Sequence, residues 1–189
     1  MHLYDIVLFV HLSALFAAFG PTAVVAVAMR RIRAAVTGAE ALPWLGLGKH
    51  AAHVFPAALL TLLASGAYMV HRAWSWDSGF VVAGLTGIVF LGVVGDRVEG
   101  GRARRLAHAL AAKPHARIAD HATELVHDPV WWTAASVNPA VALGVAFDMA
   151  TKPSVVVSFA ALALAAALGA VLAVPLWHRP AAAPAVPAE

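Results

Sequence analysis

Apolar residues in this chain gather into five long runs, at residues 6–29, 54–70, 78–95, 130–147 and 154–177. Each approaches the ~20 residues a helix needs to cross the ~30 Å hydrocarbon core of a bilayer. Backbone polar groups inside lipid must be satisfied within the segment, which leaves the helix as the natural form for single runs of this kind. The pattern predicts an all-α, polytopic membrane bundle of five transmembrane helices occupying residues 1–178. A four-span alternative that omits the fourth run leaves 130–147 as an apolar segment with nowhere to be buried.

The polar and helix-breaking residues punctuate these runs. Gly20-Pro21 predicts a kink two-thirds of the way along the first span. Gly38, Pro43, Gly46 and Gly48 read as a linker, with Trp44 at the membrane interface and the second helix starting near His50, ahead of Pro56. Trp74 and Trp76 form an aromatic belt signal beyond the second span. In the third, Gly84, Gly87, Leu91 and Gly95 share one face and invite close approach of a neighbouring backbone. Residues 96–128 read as two short amphipathic helices broken at Lys113-Pro114, followed by Trp131-Trp132 at the opening of the fourth span. Asp148–Pro153 reads as a tight hairpin into the fifth span, with Pro153 at a first helical position. The tail, 179–189, is dominated by Ala and Pro and is expected to be disordered.

Charge orients the bundle. Arg30, Arg31, Arg33 and Lys49 lie in the first gap, and Arg97, Arg102, Arg104, Arg105, Lys113 and Arg117 in the third. Arg179 follows the last span, while the second and fourth gaps hold only Arg72 and Lys152. The positive-inside rule then gives an N-out/C-in topology, with 96–128 cytoplasmic. The first span has no basic leader and is too long for a secretory h-region, so it reads as an uncleaved signal-anchor. The formal net charge of +3 belongs to this topology and to anionic inner-leaflet lipid; it does not point to nucleic acid. With 61% hydrophobic and 12% charged residues, the composition suits the bilayer as principal partner and a multi-pass place in a bacterial cytoplasmic (inner) membrane. The chain has no cysteine, which removes disulfides, thiolate metal sites and iron–sulfur clusters.

Ten histidines then matter by depth. His11 lies about two turns inside the first span, on a face with Ala14, Leu15 and Ala18. An ionisable residue at that depth is a functional candidate. His53 and His71 share a face of the second span but stand ~27 Å apart along it. His71 is therefore on the outer side with His11, and His50 and His53 belong to the inner rim. Two imidazoles on facing helices would clamp a b-type haem, so His11 and His71 are the candidate cofactor ligands. Met69, His71, Asp148 and Met149, with Asp5 and His2 near them in depth, make an alternative copper set of thioether, imidazole and carboxylate donors. Asp120, Glu124 and His127 carry a single Glu-x-x-His and read as a solvated helix face. Asn138-Pro139-Ala140, with Val141 and Gly144, resembles the aquaporin signature, but one copy reads as a proline kink with an intramembrane polar Asn138.

His11 followed by Gly20, the Ser65-Gly66-Ala67-Tyr68 ending of the second span, and Met149-Ala150-Thr151-Lys152-Pro153 before the fifth resemble a bacterial family of predicted integral membrane proteins of unknown function. That family is similar in style to the copper-resistance protein D type. The resemblance covers most of the chain and implies haem or copper near the outer leaflet. Bacterial proteins that oxidise protoporphyrinogen also carry a first-helix histidine, which links such a residue to haem or porphyrin. Three functional classes follow: a haem- or copper-binding membrane protein using His11 and His71; a small transporter or copper-uptake component using the Met/His/Asp set, the kinks and Asn138; and a non-catalytic subunit, or homo-oligomer, docking through the glycine and alanine faces.

Overall fold

The computed structural model describes residues 2–177, apart from the side chain of Asp120; the expected disordered tail lies outside the described residues, as does the side chain of Asp120 in the 120/124/127 face. Within them the fold is all-helical, and five helices are long and apolar enough to cross a membrane. Helix α1 spans Leu3–Ala34, α2 Gly38–Ala52, α3 Val54–Ala73 and α4 Gly79–Val93. A π-helical turn, Val94–Gly100, joins α4 to α5, Gly101–Ala112. Two one-turn helices, α6 (Ile118–His121) and α7 (Thr123–Val126), lead to α8, Pro129–Thr151, and α9, Val155–Trp177.

Two segments differ from the sequence reading. Residues 38–52 are a helix and not a linker. Thr37 caps its start by accepting from the Glu40 amide, and the Glu40 carboxylate accepts from Val36 N–H in return. Burial of Ala41 and Leu45 outweighs the cost of Gly46, Gly48 and the internal Pro43. The break between α2 and α3 falls at His53, just before Pro56, whose missing N–H leaves the carbonyl of Ala52 without its usual helical partner. The third span also runs on past Gly95 without a stop. With α5 it makes 34 continuous helical residues, about 51 Å, so Asp96, Arg97 and Glu99 sit on a helix.

The basic first and third gaps meet at one end of the bundle. Thr37 and Arg117 form an isolated antiparallel bridge, Ile118 N–H donates to Val36 O, and Ala39 N–H donates to Pro114 O. The main core is here: Met29 and Ile32 from α1, Ala41 and Leu45 from α2, Leu106 and Leu110 from α5, and Trp131 and Trp132 from α8. The Arg33 guanidinium lies 5.2 Å from the Trp132 ring and donates to Leu176 O, occupying a carbonyl that the end of α9 leaves open. Asp128 caps α8, accepting from Val130 N–H, and holds Arg102 of α5 at 2.6 Å.

Beyond this basic end α1 pairs with α3, and α4 packs with α8 and α9 around Ala83, Val137, Val141, Val145 and Leu162. Between 17% and 33% of each span's most apolar stretch is buried. The remainder is a wide apolar surface of the kind lipid covers and water does not.

Candidate functional site

His11 faces α3. Its Nδ1 lies 2.9 Å from Ser65 Oγ, and Ser65 is buried. The Ser65 hydroxyl has one proton and is already directed at the carbonyl of Thr61, 2.5 Å away. With that proton on a backbone carbonyl (Leu62 O is also within 3.3 Å), Ser65 Oγ accepts from His11, and the tautomer assigned by this network has the hydrogen on Nδ1 and a lone pair on Nε2. Gly66 supports this arrangement. A Cβ there would stand 3.4 Å from His11 Cε1, an ordinary packing distance, so Gly66 marks where the ring lies against α3. His11, Leu15 and Ala18 are half-buried and Ala14 is buried, which makes this the face of α1 turned toward the protein.

His71 does not join it. It lies six residues beyond Ser65, about 9 Å further along α3 and well round the helix from the His11-facing side. It is exposed and makes no hydrogen bond or ion pair among the described residues. The partner His11 takes is Ser65, which sequence reading had noticed only as part of a motif. The spacing put both histidines toward one end of the bundle but gave neither their offset along the axis nor the rotation of α3 against α1.

The Met/His/Asp set is split between helices. Met69 and His71 are on α3, whereas Met149 of α8 is folded onto Gly84 of α4, and Asp148 is fully enclosed in the α4/α8/α9 group. No group of three or more His, Asp or Glu side chains among the described residues converges as a metal site.

Asn138 does have a side-chain partner inside the bundle. Its Nδ2 donates to Glu99 Oε1 at 2.5 Å, and its Oδ1 is buried without a hydrogen bond. Glu99 reaches it from the π-helical turn, where Gly95 also lies against the Asn138 amide. A π turn commonly marks a functional position and is not visible in a hydropathy pattern. Thus α8 carries two interior polar positions, Asn138 and Asp148, on either side of the apolar contact of Gly144 with Leu162.

The glycine face of α4 is taken up by the chain itself. Gly79 packs on Val155, Gly84 under Met149 and Gly87 on Val145, so the spacing read from sequence serves α8 and α9 of the same molecule.

The class this fold defines is a helical protein with five candidate membrane spans. Against known families, curated proteins and solved structures, the chain matches none.

Proposed function

We propose that this protein is a multi-pass membrane protein of a bacterial cytoplasmic membrane, N-out and C-in, that holds a b-type haem through His11 in the outer half of the bundle. The observation that carries the reading is the His11–Ser65–Thr61 relay. A ligating histidine characteristically donates its second ring N–H to a fixed acceptor, which sets the tautomer and aims the lone pair. His11 has that arrangement, at a depth where an imidazole has no solvation role.

The donor count favours haem over copper. Haem iron brings four nitrogen ligands of its own and needs one or two from protein. A copper ion relies on several protein donors gathered together, and Met69, His71, Asp148 and Met149 are divided between helices. A haem held here supplies one-electron transfer. The protein's part is the ligand, its orientation and an apolar setting, with Val10 and Leu12 exposed beside His11 for a hydrophobic macrocycle. The orientation rests on the basic residues at one end of the bundle.

The test is the visible spectrum of protein purified from cells supplied with haem. A Soret band is expected, lost in His11→Ala while expression and helix content are kept, and retained in His71→Ala. A colourless wild type would sink the proposal.

A further inference from the structure

One interior carboxylate has no protein partner. Asp148 of α8 has 0% of its surface exposed, and neither carboxylate oxygen is hydrogen-bonded among the described residues. Ser158 of α9 is equally enclosed, and its Oγ is also unpartnered.

The helix register brings the two to the same level of the α8–α9 pair. Gly144 of α8 touches α9 so closely that a Cβ on it would stand 3.1 Å from both Leu162 and Ala165. Asp148 lies one turn beyond Gly144 along α8, and Ser158 one turn beyond Leu162 along the antiparallel α9, both toward the hairpin that joins them. The N-terminal part of α4 closes the third side. Gly79 packs on Val155, Gly84 under Met149, and Phe80, Val81 and Ala83 are buried.

A lone carboxylate shut away from water costs several kcal/mol unless its charge is neutralised. No side chain here does so. Helices α4 and α9 carry no ionisable residue. Lys152, one turn beyond Asp148, is exposed and its Nζ lies 4.6 Å from the Trp74 ring. Asp77 in the α3–α4 loop and Arg72 at the end of α3 are exposed at the same rim. No described side chain supplies the positive charge, which leaves a place that an external cation can fill. A single negative charge calls for a monovalent ion, since a divalent one would leave a net buried charge. The donors are hard oxygens, which excludes soft metals.

We propose that Asp148 and Ser158 form a buried binding site for a small monovalent cation, either a proton or a sodium ion, entered from the α8–α9 hairpin end. The site is independent of His11 and of any haem.

Dicyclohexylcarbodiimide attacks protonated carboxyls in apolar surroundings, so it is the probe. Full-length protein is treated in choline buffer across a range of pH, with and without sodium chloride, and modified peptides are read by mass spectrometry. Modification of Asp148, declining as pH rises, is expected. Sodium at ten times its Kd should slow it roughly tenfold if sodium is the ligand, with Ser158→Ala weakening that protection. The same decline with pH but indifference to sodium assigns the site to a proton.

Asp148 left unmodified at every pH, or modified regardless of both pH and sodium, overturns the proposal. Asp148→Asn keeps the shape and removes the charge, giving a second readout. The wild-type unfolding temperature in detergent should rise with the bound cation, and that dependence should vanish in the variant. A variant that keeps the full dependence also overturns the site.

Discussion

A single hydroxyl decides what His11 can do. Because Ser65 gives its proton to Thr61 O, it is an acceptor toward the ring, and removing it frees Nδ1 to lose its hydrogen. Ser65→Ala should cost about 1 kcal/mol of stability, the usual worth of an interhelical hydrogen bond in a membrane protein. Denaturant unfolding in detergent measures it. In a haem-loaded preparation the same change should weaken haem affinity about 10- to 100-fold, as loss of an orienting partner does. Unaltered haem titration would separate His11 from the ligand role while leaving its structural bond to Ser65 standing. At this scale the sequence singled out His11 but did not reveal what it pairs with. His11 stood out because nothing else ionisable lies near it in the first span. Its neighbour could not be read off, since His71, Ser65 and Thr61 all lie on the same helix and differ in rotational phase. The same holds for Ser158, one serine in an otherwise apolar span, whose meaning depends on lying level with Asp148.

At the scale of elements, the glycines sort by what stands opposite. A Cβ on Gly169 of α9 would come within 2.7 Å of Val137 Cα and 2.8 Å of Ser136 O, both backbone atoms of α8 that cannot swing aside. Gly169→Ala should therefore cost about 1–3 kcal/mol by overpacking. Gly92, with nothing within 4 Å of its added Cβ, should accept alanine within about 0.5 kcal/mol. Equal unfolding behaviour of the two variants in detergent would refute the tight α8–α9 seam. The five spans were legible because lipid imposes a length and a polarity that no other environment requires. Helix α2 was not. Its proline and glycines carry the composition of a loop, and it is held as a helix by burial against α1 and α5, a tertiary effect outside any local window. The π-helical turn was hidden for a similar reason. Its seven residues, two of them glycine, carry no pattern that distinguishes a π turn from a loop, and only the Glu99–Asn138 bond reveals what the extra width accomplishes.

For the whole molecule, the distribution of charge gives each end a different character. The basic end has the large core, the Arg33–Trp132 stack and the Arg102–Asp128 pair, and the cationic side chains there are tied into the fold as well as facing the surface. The far end has the short loop at Ser75 and the hairpin at Lys152, where a left-handed residue (φ 48°) turns the chain. Moving the basic end across a bilayer during insertion would carry ten Lys and Arg, those named in the first and third gaps, through hydrocarbon. Each costs about 2.5–3.5 kcal/mol at the centre of a helix on the insertion scale, far more than Arg72 and Lys152 together on the opposite side. That imbalance predicts the sidedness, and the absence of cysteine makes the prediction directly measurable. Ser75 and His115 are both exposed and lie at opposite ends of the bundle. In spheroplasts a membrane-impermeant maleimide should react at once with Ser75→Cys, and with His115→Cys only after lysis. The reverse order would invert the topology. It would also move His11 and the Asp148–Ser158 pair to the cytoplasmic half, so that a cation reaching Asp148 would enter from inside the cell.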